Sequence, residues 1–150
     1  MQHTVVDGTN FPVESMAYDG GSTNESAYVK FMASNYGSGN VTVDVVWYTN
    51  SAQTSGNVVW GAALAAITPD TDSQDVETKA FATANTVQDS HLGTTAQRVH
   101  RASITVSNLD SIAANDYVCL WLYRNASDTS NDTLAADANV LMVEVTYSDT

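Results

Sequence analysis

Val41-Thr42-Val43-Asp44-Val45-Val46-Trp47-Tyr48 sets Val41, Val43, Val45 and Trp47 at every second position and interleaves them with Thr42, Asp44, Val46 and Tyr48. Side chains alternate across a strand, so this run buries one face and leaves the other for water or a second surface. The pattern recurs on both sides of it. Residues 27–33 align Val29, Phe31 and Ala33, and residues 57–67 make a long strand carrying Trp60 and Leu64. A strand is expected over 77–87 around Phe81, and another over 97–107 with Val99, Ala102, Ile104 and Val106. Residues 117–124 set Val118, Leu120 and Leu122 against Tyr117, Cys119, Trp121 and Tyr123, and residues 140–147 align Leu141, Val143, Val145 and Tyr147. Almost nothing repeats at helical spacing, and one helical turn is expected over 111–115.

Turn-rich loops at 35–40, 50–56, 68–76, 88–95 and 125–138 separate these runs. The pattern predicts an all-β fold, a two-sheet antiparallel β-sandwich of about eight strands with a jelly-roll-like arrangement. Residues 1–25 are the least regular. Val5 and Val6 suit a short strand, Asp7-Gly8-Thr9-Asn10 suits a turn, and Pro12 is expected to interrupt pairing. An N-terminal arm over 1–25, irregular with one or two short strands, and a sandwich domain over 26–150 follow.

Five Lys and Arg face seventeen Asp and Glu, a net charge of −12 over 150 residues. Nucleic acid and anionic membranes would repel such a chain, so neither is an expected partner. A dispersed surface, a basic protein partner or a high-salt setting all fit the charge. Cys119 is the only cysteine, so no intramolecular disulfide forms. No apolar run reaches spanning length, and the N-terminus lacks a basic segment followed by an apolar one. Folding in a cytoplasm is therefore expected.

The chemistry-bearing residues assemble no motif. His3, His91 and His100 stand at no metal-binding spacing; His3 falls in the arm, His91 in a loop, and His100, beside Arg101, is expected to face solvent. Cys119 lies in an apolar strand and reads as a small hydrophobe. Gly37-Ser38-Gly39 precedes a strand and reads as a turn, and no G-x-S-x-G elbow occurs. Asp70, Asp72, Asp75 and Glu77 alternate as calcium ligands do, but Asp75 occupies the sixth position, where an EF-hand loop needs glycine. A solvated acidic loop is the reading taken. No catalytic residue, metal ligand or cofactor is assigned.

Trp47, Trp60 and Trp121 read as core or interface residues. Exposed rings at Tyr36, Tyr48 and Tyr123 would stack on sugars as those of carbohydrate-binding modules do, which keeps carbohydrate among the candidate ligands. Two strands, 57–67 and 117–124, are apolar on both faces, whereas a sandwich needs one such face. Either a loop or the arm covers the surplus, or it is a subunit interface, with Trp121, Tyr123 and Cys119 as its candidates.

The C-terminal third carries the most specific pattern: Asp116-Tyr-Val-Cys-Leu-Trp-Leu-Tyr-Arg124, then Asn131-Asp132-Thr133-Leu134 and Asp137, then Leu141-Met-Val-Glu-Val145. Upstream stand Tyr18-Asp19, Glu25-Ser-Ala-Tyr-Val-Lys-Phe31, Tyr36-Gly37 and Ser55-Gly-Asn-Val-Val-Trp60. From residue 18 onward the chain resembles small jelly-roll-like structural proteins and domains of tailed bacteriophages. There, a strand ending in Arg is followed by an Asp-Asp-Thr-like loop, a further Asp and a Val-Glu-Val-like strand. This chain departs in having Asn at 131.

The resemblance implies a non-enzymatic virion component. Capsid decoration on the particle exterior is the expected role, as a homotrimer bound to the major capsid protein. A tail-fibre or tailspike domain binding host-surface carbohydrate is the alternative, although no heptad stretch or repetitive shaft is present. The arm is the expected capsid-docking element, through Val5, Val6, Phe11 and Met16. Beside the resemblance stands a physical reading: Arg124 ends an apolar strand, and a guanidinium can tie Asp132 or Asp137 on the return loop to the sheet edge.

Overall fold

The computed structural model describes residues 1–49, 55–93, 95 and 97–150. The turn expected at 50–56 lies largely outside these residues. The described residues form nine strands and no helix: β1 (Gln2–Asp7), β2 (Pro12–Tyr18), β3 (Glu25–Met32), β4 (Val41–Tyr48), β5 (Asn57–Ile67), β6 (Asn85–Ser90), β7 (His100–Val106), β8 (Tyr117–Arg124) and β9 (Ala138–Thr146). They build two sheets, ordered β1-β2-β9-β4-β7 and β3-β8-β5-β6, with every pairing antiparallel. The chain is a β-sandwich, jelly-roll-like, as its alternation predicts.

Strand phase sets the core. Val41, Val43, Val45 and Trp47 of β4 meet Ala102, Ile104 and Val106 of β7 from one sheet, and Trp60, Leu64, Val118, Leu120 and Leu122 from the other. Tyr18 packs edge-on to Trp60 with centroids 5.2 Å apart. Burial also pushes the Tyr18 phenol up to about 12.

Several expectations are corrected. The strand placed over 77–87 is instead β6 at Asn85–Ser90, which takes in residues 88–90 of the expected loop. Phe81 lies in the β5–β6 connection, packed on Trp121 at 5.7 Å. Pro12 begins β2 opposite Asp7 instead of interrupting pairing. A proline at the first position of a strand withholds no ladder hydrogen bond that matters there. The short strand expected at Val5 and Val6 is β1, and with β2 it makes a hairpin whose Met16, Ala17 and Tyr18 extend the sheet by pairing with β9. Residues 111–115 make turns: Asp110, Ser111 and Asn115 all have positive φ (53°, 59° and 68°), which no right-handed helical turn allows.

The 68–84 connection settles part of the surplus apolar surface. It crosses the outer face of the four-stranded sheet, donating the Ala82 N–H to the Leu64 carbonyl at 2.9 Å. The Tyr123 ring lies across Gly61, where an added Cβ would come within 2.2 Å of it. β5 is thus buried on both faces by its own chain.

Candidate functional site

Arg124 is fully buried at the end of β8. Its Nε and Nη2 donate to the two Asp132 oxygens at 3.0 and 2.6 Å. Nη2 also reaches the Leu134 carbonyl at 2.5 Å, and Nη1 reaches those of Tyr18 and Ala136 at 3.1 and 2.9 Å. Every guanidinium N–H is therefore used. Asp132 in turn accepts from the Val59 N–H at 3.0 Å. One cation so locks β2, β5, β8 and the long 125–137 loop together. Asp137 is half-buried and makes no ion pair with Arg124. The cluster is enclosed and saturated, which makes it scaffold.

Among the described residues, two of the open grooves hold the sequence-derived candidates. The first, about 440 Å³, lies on the outer face of the five-stranded sheet, walled by Val6, Phe11, Val13, Tyr48, Val99 and Leu141. Phe11 stands at the hairpin tip with 69% of its surface exposed, and Val99 is 55% exposed. The hairpin turns tightly at Gly8, where a Cβ would strike the Phe11 carbonyl at 2.4 Å. Of the docking candidates, Val6 and Phe11 line this groove, and Val5 is exposed on the opposite face of the hairpin. Met16 is half-buried, packed against the core beside Val140. Tyr48 is buried with its hydroxyl unpaired, and so is the amide nitrogen of its cross-strand neighbour Asn139.

The second groove, about 300 Å³, runs between the 68–84 connection and the four-stranded sheet, bordered by Tyr28, Lys30, Glu77, Lys79, Phe81 and Tyr117. Lys79 is held by Asp110 at 2.8 Å. Rings continue beside it: Tyr28 to Phe81 at 6.1 Å, Phe81 to Trp121 at 5.7 Å, and Trp121 stacked on Tyr123 at 4.6 Å. Of the interface candidates, Tyr123 is buried over Gly61, Trp121 is half-buried against Phe81, and Cys119 is half-buried in the lining of this groove. Burial pushes the Cys119 thiol up, against the pull of Lys30. Its thiolate is correspondingly scarce.

The rings expected to be exposed are placed differently. Tyr48 and Tyr123 are buried, Tyr36 packs on Tyr147 at 5.8 Å, and Tyr28, a ring not among those expected, is 60% exposed. Asp70, Asp72, Asp75 and Glu77 are exposed; Asp72 accepts from the Thr68 N–H and Asp75 from the Glu77 N–H, both at 2.9 Å. Among the described residues no group of three His, Cys, Asp or Glu side chains is placed to hold a metal ion.

The histidines yield a further correction. His100, expected at the surface, is only 5% exposed. The phase of β7 explains it: Ala102, Ile104 and Val106 point inward, so His100 must as well. The same phase was legible in the sequence. His91 is buried against it, while His3 is exposed in β1.

No family model matches the chain, and no curated protein matches it. A solved structure that resembles it is the crystal structure of a carbohydrate-binding module, CBM28, specific for non-crystalline cellulose. The likeness spans 97% of this chain and 82% of that one, with a TM-score of 0.51 and 11% identity. At that identity the shared property is the β-sandwich fold.

Proposed function

We propose that this chain is a non-enzymatic structural protein of a tailed-phage virion, a capsid decoration protein on the particle exterior, and that it docks through the groove at the β1–β2 hairpin. The observation that carries the docking is the apolar groove with Phe11 69% exposed at its lip. A contiguous apolar surface with an aromatic anchor suits a protein partner. The phage setting rests on the motifs of residues 18–145. Attachment stabilises the lattice by mass action, because whatever binds only the assembled shell favours it. A homotrimer would repeat the hairpin by symmetry, so weak contacts add in avidity.

The test is co-sedimentation of purified protein with capsids stripped of it. Wild-type protein is expected in the pellet, and Phe11→Ser or Val6→Ser is expected to weaken binding at least about tenfold. Equal binding by both variants overturns the hairpin as the docking element.

A second reading, a tail-fibre or tailspike domain binding host-surface carbohydrate, is favoured by the open Tyr28 ring beside Lys30 and Glu77. Sugar faces stack on aromatic rings while charged side chains take hydroxyl groups. The sandwich shared with a carbohydrate-binding module adds weight. Binding on a glycan array, abolished by Tyr28→Ala, would support it; an array without hits would remove it.

A further inference from the structure

The floor of the hairpin groove is polar where its walls are not. Trp47 points into the core with none of its surface exposed, so Tyr48, next along β4, points to the outer face and lines the groove there, 7% exposed. Its hydroxyl makes no hydrogen bond. Neither does the amide nitrogen of Asn139, its fully buried partner across the β4–β9 ladder. On the far side Asn139 is met: Ser15 Oγ donates to its Oδ1 at 3.5 Å, and Ser15 Oγ lies 2.8 Å from Thr4 Oγ1. A row of polar side chains thus crosses the outer face from β1 through β2 and β9. It ends unmet at Tyr48, in the groove.

The walls set the rest of the chemistry. Val6, Phe11, Val13, Val99 and Leu141 are apolar, and the described lining holds no charged side chain. A charge brought there would lose its water without compensation. A group that is apolar along its length and ends in one oxygen meets both parts of the site. The walls take its body, and the Tyr48 hydroxyl, able to donate or accept, takes the oxygen. A phenol has that chemistry, and Phe11 at the lip gives its ring an aromatic neighbour.

We infer that this groove is a binding site for a phenol group, the side chain of a tyrosine on the docked partner, with its hydroxyl on that of Tyr48. The source in a partner rests on the docking reading above; the site itself does not. Tyrosine joins a large apolar ring to one polar tip and is enriched in protein interfaces. A buried hydroxyl without a partner is destabilising, and the incoming phenol oxygen removes that penalty. The contact therefore selects a hydroxylated ring over a bare one.

The test uses the full chain with two probes: p-cresol, the tyrosine side chain capped by hydrogen, and toluene, which lacks only the hydroxyl. NMR titration follows the amides of Val6, Val13, Val99 and Leu141. A groove that is apolar throughout prefers toluene, because water holds on to the p-cresol hydroxyl. The site predicts the reverse: wild type binds p-cresol about tenfold more tightly than toluene, and Tyr48→Phe binds toluene the more tightly. A wild-type preference for toluene would mean that solvent alone meets the Tyr48 hydroxyl, and it overturns the site. So does the absence of shifts at these four amides with either probe, or a preference for p-cresol that survives in Tyr48→Phe. The first two outcomes need no variant, so a Tyr48→Phe chain that fails to fold leaves the test intact. Co-sedimentation with stripped capsids then reads the source, and saturating p-cresol is expected to weaken capsid binding at least about tenfold. An occupied site with undiminished capsid binding overturns the partner's tyrosine. No capsid binding in the absence of p-cresol overturns the docking reading and leaves the site standing.

Discussion

Arg124 shows how much a single buried charge can organise when every donor is met. Removing it alone, as in Arg124→Met, strands the buried Asp132 carboxylate and is expected to cost about 3–5 kcal/mol in urea unfolding. Replacing both members, Arg124→Met with Asp132→Leu, is expected to recover much of that loss, because the penalty lies in the uncompensated charge. A double variant no more stable than the single one would mean that the carbonyl bonds to Tyr18, Leu134 and Ala136 carry the stability instead. The Arg124–Asp132 pair was legible from sequence because a strand-ending arginine and a loop carboxylate are complementary at that spacing. Asp137 is equally complementary on paper, and only the path of the loop decides between them. For His100, native burial favours the neutral ring, so its contribution to stability is full above its unfolded value of 6.5 and is lost as pH falls below that value. His100→Gln is therefore expected to flatten the acid limb of a plot of unfolding free energy against pH. An unaltered limb would show that His100 titrates alike in the folded and unfolded chains.

Among elements, β5 and β8 run over the residues that their patterns predict, since long apolar runs bounded by turn residues leave little freedom. β6 was not legible. Asn85-Thr-Val-Gln-Asp-Ser90 has one apolar residue and becomes a strand only because β5 offers it an edge. Phe81 attracted the strand assignment, although its role is to cover Trp121. In the β1–β2 hairpin the strand at Val5 and Val6 and the turn after it were legible, but the pairing of β2 with β9 was not, because Met16, Ala17 and Tyr18 alone make it. The β5–β8 pair invites a packing test. Gly61→Ala drives a methyl into the Tyr123 ring and is expected to cost about 1–3 kcal/mol. The same substitution made with Tyr123→Ala is expected to cost less than the two changes summed, because the clash is then gone. Strict additivity would show that the ring moves aside at no cost.

At the scale of the whole molecule, alternating strands close into a sandwich, and its open surfaces include the hairpin groove and the ring-lined groove behind the 68–84 connection. Among the described residues no group of three His, Cys, Asp or Glu side chains is placed to hold a metal ion in either. Assembly as a homotrimer is expected in light scattering at high protein concentration, and a monomer under those conditions would remove the avidity that the proposed lattice attachment needs. The most direct measurement is an electron cryo-microscopy reconstruction of intact particles that incorporate the protein. The account predicts density for the sandwich on the outer capsid surface, with the Phe11 tip of the hairpin facing the shell. Density confined to the tail, or on the capsid with the hairpin pointing into solvent, would contradict it.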